Sequence, residues 1–265
     1  LRTAEEMGSA GDRLTAPDAG RGFPSEIDNT IRGTYVLCGK QAYYSHVRQL
    51  GPINSNVHLH FGGAWAAGAE VIRRRFYEDG APASQAIADG LSAMSKAWGT
   101  FPVEGNGTKS HNSCGEALRY YFEDAWPLAT DTMRPWMHDN RALVEWKFRV
   151  PIPGLYHPDT GEPLYAVGRS DMIADVGGME TVEDDKTASS LGGTWGRQWH
   201  LDSQFTQYAW ARQQERLALG LPITANQMVM VRGISILKPK VKGGTYNRLT
   251  SFGHAQELTY RPQWM

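Results

Sequence analysis

The feature that most constrains the fold is a Gly-Gly pair, Gly177-Gly178, set between two strand-like runs in GRSDMIADVGGMETVEDDKTAS, Gly168 to Ser189. That dipeptide favours a two-residue hairpin loop, and a loop of that length sets the register around it. Val176 then pairs with Met179, Asp175 with Glu180, Ile173 with Val182 and Asp171 with Asp184. Two carboxylates thereby face each other with Cβ atoms ~5 Å apart, and like charges so placed are destabilising. Strand alternation puts Lys186 on the face of Asp184, about 7 Å further along, and turns Asp185 to the other face.

Two readings answer the repulsion. The hairpin can be an acid-rich surface element whose charges are solvated or paired with Lys186 and Arg169. Alternatively it holds a divalent cation such as Mg2+ or Mn2+, which takes oxygen ligands from one or two carboxylates and keeps several waters. Asp171 and Asp184 would then supply carboxylates and Asp185 its backbone carbonyl. Lys186 would orient or deprotonate an attacking water, or neutralise charge on the transition state of phosphodiester hydrolysis.

Around the hairpin, hydrophobic spacing predicts helices over Thr30–Leu50, Phe61–Tyr77, Ala83–Trp98 and Gly115–Trp126, followed by a strand over Ala142–Val150 that ends at Pro151-Ile152-Pro153-Gly154. The hairpin strands come next, then an amphipathic helix over Trp199–Leu219. A strand over Gln227–Leu237 follows, with a partner over Thr245–Ser251. The expectation is an α/β fold: a mixed central sheet flanked by helices, with a mainly helical N-terminal half. Residues 1–25 read as a flexible arm, 26–140 as the helical part, and 141–265 as the α/β core.

Composition removes several function classes. No run of ~18 apolar residues is present, which argues against a membrane span, and the first residues lack the apolar stretch of a signal peptide. The expected location is the cytoplasm. A net charge of -1 argues against coating duplex DNA nonspecifically. The basic runs Arg73-Arg74-Arg75 and Leu237–Lys242 read as solvated faces. Cys38 and Cys114 cannot form a four-thiolate cluster, so no iron–sulfur centre is expected, and both read as buried free thiols.

Four neighbours enlarge the pattern. Glu145 lies on the strand before the hairpin, Gly168 and Arg169 precede Asp171 as GRSD, and Thr187 follows the lysine as DDKT. SQFTQYAWA places Gln204 and Tyr208 at i and i+4 on one helix face. Together these resemble the PD-(D/E)XK nuclease superfamily, in its RecB-like exonuclease branch. That branch shows an upstream acid, G-x-x-D, (D/E)-x-K-T and Q-x-x-x-Y in this order. TIRGTYVLCGKQAYYSHVRQL and HLHFGGAWAAGAE resemble its two opening helices, so the likeness spans roughly residues 30–215. The overall flavour is similar to nucleases encoded by bacteriophages.

The resemblance implies a restriction-endonuclease-like sheet and a Mg2+- or Mn2+-dependent deoxyribonuclease acting on DNA ends or single strands. It would serve recombination, repair or degradation, in the host cytoplasm if phage-encoded, beside a recombination or replication partner protein. Asp171, Asp184 and Lys186 would be catalytic, and Gln204, Tyr208, Arg169 and Thr187 would hold DNA. Two departures stand out. Ala66 occupies the position where the branch often has a metal-binding His, so His60 reaches in, Glu70 substitutes, or the metal has one ligand fewer, with Glu145 as an outer or second-metal acid. The four cysteines of iron–sulfur relatives are absent. The alternative is a catalytically degenerate nuclease fold acting as a DNA- or partner-binding module.

Overall fold

Gly177 and Gly178 adopt φ angles of 63° and 86°, the left-handed pair that a two-residue hairpin loop demands and that only glycine adopts without strain. They are seen in a computed structural model that describes residues 22–51, 56–101, 109–188, 191, 194–199, 202–223, 226–236 and 251–259. Most of the predicted arm, the basic run Leu237–Lys242 and most of the strand expected at Thr245–Ser251 lie outside the described residues. The chain divides into two compact units, residues 1–53 with 151–166 and residues 54–150 with 167–265.

In the first unit, β1 (Glu26–Ile27) runs parallel to β6 (Pro163–Val176), with Glu26 opposite Tyr165 and Ile27 opposite Ala166. Helix α1 (Asn29–Leu37) starts where the Asp28 side chain accepts the Ile31 N–H at 2.7 Å. The single helix predicted over Thr30–Leu50 is broken. Cys38 turns extended (φ -162°), and α2 (Gly39–Ala42) and a π turn (Tyr43–Val47) follow. Cys38 is exposed rather than buried, whereas Cys114 is buried, and both are free thiols.

The second unit carries α3 (Val57–Tyr77), α4 (Ala83–Trp98), α5 (His111–Tyr120) and α6 (Ser203–Ala218). Ser110 and Ser113 form a reciprocal cap that starts α5, four residues before the predicted helix begins. Asp202 caps α6 by accepting the Gln204 N–H at 2.7 Å. The predicted start at Trp199 is instead a 3-10 turn, Gly196–Trp199.

The sheet order is β1-β6-β7-β8-β9, with β2 (Met133–Pro135) and β5 (Val144–Tyr156) also pairing β6. A small ribbon joins β3 (Met137–His138) and β4 (Arg141–Ala142). β7 (Met179–Ala188) is antiparallel to β6 and parallel to β8 (Asn226–Ser235), which is antiparallel to β9 (Ser251–Thr259). Helix α6 stands between the parallel β7 and β8 in sequence, the crossover that a parallel pair requires. The fold is therefore α/β, with a mixed sheet flanked by helices. β5 continues through Pro151 and Pro153, where a stop is predicted. Its described pairing is with β6, and a strand on a sheet edge tolerates residues without an N–H.

The main core joins Phe61, Trp65 and Ile72 of α3, Met94 and Trp98 of α4 and Leu118 of α5 to Ile234 of β8. α3 and α4 meet at two glycines: a Cβ on Gly90 would lie 2.2 Å from Ile72 Cγ1 and 2.7 Å from the Gly68 carbonyl oxygen. Gly90→Ala is therefore expected to destabilise the protein by about 1–3 kcal/mol through overpacking. Urea unfolding measures this, and an unchanged midpoint would contradict so close a crossing.

Candidate active site

β7 carries charge on both faces. Its register matches the one the Gly-Gly turn dictates, from Val176–Met179 to Met172–Glu183. Past the last ladder pair, the Asp185 N–H donates to Asp171 Oδ2 at 2.6 Å. Asp171 and Asp184 thus meet at the end of the ladder. Lys186 is ion-paired with Asp184 through Oδ2.

From Lys186 a chain of hydrogen bonds runs along α6. Lys186 Nζ donates to Gln204 Oε1 at 3.4 Å, Gln204 Nε2 to Tyr208 Oη at 2.6 Å, and Tyr208 Oη to the Arg169 carbonyl at 2.5 Å. Six of the residues singled out in the sequence therefore form one connected group: Asp171, Asp184, Lys186, Gln204, Tyr208 and Arg169. Gly168 permits this, because a Cβ there would come within 2.5 Å of the Phe148 ring and 3.3 Å of Tyr208.

Burial drives the electrostatics. It pushes the Asp171 carboxyl well above the usual carboxylate range, and the like charges of Asp184 and Asp185 push the same way. Asp184 is raised by burial too, against the opposing pull of Lys186. Burial pulls the Lys186 ammonium down, but Asp184 and then Asp171 outweigh it, so Lys186 is held above its ordinary value and stays protonated at neutral pH. Burial likewise raises the Tyr208 phenol, which keeps its proton as a donor.

The opposite face of β7 corrects the reading of Arg73-Arg74-Arg75 as a solvated run. Arg73 is 4% exposed and pairs with Asp185 at 2.6 Å and with the fully buried Glu183 at 3.5 Å. The Tyr121 hydroxyl donates to the other Asp185 oxygen at 2.5 Å. Burial would raise Asp185, yet Arg73 and Tyr121 hold it below its ordinary value. Glu183, buried beside Asp185, is pushed well up. On β8, Arg232 forks onto both Asp131 oxygens at 2.5 and 2.8 Å.

The remaining candidates take other places. Glu145 sits at a positive φ of 56° and pairs with Arg169 at 2.8 Å. Glu70 pairs with Arg74 one turn along α3. His60 stacks on Phe101 at 4.0 Å between ring centroids, with Nε2 3.0 Å from the Trp98 carbonyl oxygen. Thr187 lines a cleft of about 470 Å³ with Lys186, His58, Lys109, Trp195 and Trp199. Trp195 lies so close over β8 that a Cβ on Gly233 would be 2.6 Å from its ring.

The oxygen donors assembled here are the carboxylates of Asp171 and Asp184. Among the described residues, no group of three or more His, Cys, Asp or Glu is arranged as a metal site. Nor is any described helix long and apolar enough to cross a membrane. No protein-family model matches the sequence, and no curated protein matches it.

Two stability predictions follow from the burial of charge. The folded state binds the Asp171 proton more tightly than the unfolded chain, so this group's contribution is present at acid pH and lost as pH rises through the folded value. Asp171→Asn keeps an acceptor for the Asp185 N–H and removes that loss. In EDTA the variant should gain about 1 kcal/mol at pH 8 and little at pH 4, by thermal denaturation. Arg73→Met leaves Asp185 and Glu183 without their cation and should cost about 3–5 kcal/mol at pH 8. The deficit shrinks at pH 5 as the stranded acids take up protons, which denaturant titration at both pH values checks.

Proposed function

We propose that this protein is a divalent-metal-dependent deoxyribonuclease of restriction-endonuclease-like fold that hydrolyses phosphodiester bonds at DNA ends or in single strands. The observation that carries this reading is the assembly of Asp171, Asp184 and Lys186 at the end of one hairpin, tied through Gln204 to Tyr208. A surface hairpin would leave those acids solvated. Here Asp184 is buried and both acids are held above their ordinary values, which is the state of a site that needs more positive charge than Lys186 alone supplies.

The donor set is oxygen only, which suits Mg2+ or Mn2+ retaining several waters. Asp171, Asp184 and the Asp185 carbonyl would hold the ion, whose chemistry would be to polarise the phosphoryl group and favour hydroxide over water. Lys186, charged at neutral pH, stabilises negative charge gathering on the phosphoryl oxygens rather than accepting a proton from water. Gln204 keeps the Lys186 ammonium in place. The Arg169 side chain, half exposed beside Glu145, is available to the strand's backbone.

Asp184→Asn and Lys186→Ala should each lower Mn2+-dependent cleavage of end-labelled DNA by about a hundredfold to a thousandfold while retaining a cooperative thermal transition. Undiminished cleavage by Lys186→Ala would sink the mechanism, and cutting of closed circular DNA would replace the exonuclease assignment by an endonuclease one. A second reading, a degenerate nuclease fold that only binds DNA or a partner, draws on Ala66 and on the absence of a three-ligand group among the described residues. It requires that calorimetry detect no Mn2+ binding that Asp184→Asn abolishes.

A further inference from the structure

Beside the acid pair, the cleft of about 470 Å³ combines two ammonium groups, Lys109 and Lys186, with the indoles of Trp195 and Trp199. Lys186 is committed to Asp184. Lys109 is not so committed: it is 7% exposed, and no carboxylate among the described residues pairs with it. Its described neighbour is the face of the Phe61 ring, 5.0 Å from Nζ. Burial also holds its pKa below the ordinary value. A desolvated ammonium with no counter-charge among the described residues is costly, so the described lining of the cleft favours an anion.

The walls narrow which anion. Trp195 packs on β8 above Gly233, and Trp199 meets it edge to face with centroids 5.6 Å apart. The Lys186 ammonium lies 5.9 Å from the Trp199 ring centroid. Such walls offer a flat hydrophobic partner a few ångströms from the positive charge. A phosphate joined to an aromatic base presents both features, and base–aromatic stacking is a sequence-tolerant way to hold a strand.

We infer that this cleft is a nucleotide subsite in which Lys109 takes a phosphate and the Trp195–Trp199 wall takes the attached base. It rests on the nuclease reading for its role: it seats one nucleotide of the strand next to the bond being cut. The same chemistry would hold a released mononucleotide, making the product a competitive inhibitor.

The test is tryptophan fluorescence of the full chain in EDTA, titrated with dAMP, inorganic phosphate, deoxyribose 5-phosphate and deoxyadenosine. dAMP should quench and bind at least tenfold tighter than any of its three fragments. Lys109→Gln should weaken dAMP at least tenfold without lowering the melting temperature, and Lys109→Arg should restore most of the affinity. Equal affinity for phosphate and dAMP, or unchanged dAMP binding by Lys109→Gln, overturns the subsite. DNA cleavage by wild type without any dAMP binding also overturns it while leaving the nuclease reading in place. Binding of dAMP that Lys109→Gln abolishes, in a protein that cleaves no DNA with Mn2+, upholds the subsite and removes the nuclease.

Discussion

The ion pair between Arg73 and Asp185 is the constraint on which the sheet's centre depends. A strand with four consecutive charged residues, Glu183 to Lys186, cannot enter a protein interior unless each face is neutralised separately. Alternation sends Asp184 and Lys186 one way, where they neutralise each other. It sends Glu183 and Asp185 the other way, where no charge of the strand itself can help them. Arg73, delivered from α3, fills that deficit, and Tyr121 adds the hydrogen bond that completes Asp185. The placement of α3 against the sheet is thus an electrostatic requirement as well as a consequence of burying Phe61, Trp65 and Ile72.

Asp185 also joins the two faces. Its side chain belongs to the Arg73 network, while its N–H holds Asp171. Asp171 is therefore anchored by the backbone of a residue whose own position is set on the far side of the strand. The result is a division of labour within a dipeptide: Asp184 holds Lys186, which lines the cleft, and Asp185 anchors the opposite face through Arg73. The folded chain keeps Asp171, Asp184 and Glu183 in an environment that disfavours their charge.

Much of this was legible in the sequence. Gly177-Gly178 set the hairpin register, and alternation from it separated Asp184 from Asp185 correctly. The Gln204–Tyr208 spacing was also sufficient, because helix periodicity alone puts both on one face. Arg73 was missed because three successive arginines look like a solvated run, although Ala69 and Ile72 place residue 73 on the buried stripe of α3. A demand for a cation on the Glu183–Asp185 face was the signal that could have found it. Lys109, Trp195 and Trp199 carried no local pattern, since they converge only through the tertiary fold. The break at Cys38 and the passage of β5 through Pro151 and Pro153 were hidden for a different reason. Helix continuity and strand termination depend on neighbours that spacing does not reveal.

Gly233 has no side chain and carries no charge, yet the floor of the cleft is shaped by what it lacks. Trp195 rests where a methyl group on β8 would be 2.6 Å away, so any larger residue would lift the indole toward the opposite wall. The dimensions of that space are therefore encoded one layer beneath its surface. The width of such a cleft can be retuned by a single buried carbon, with every residue that lines it left unaltered.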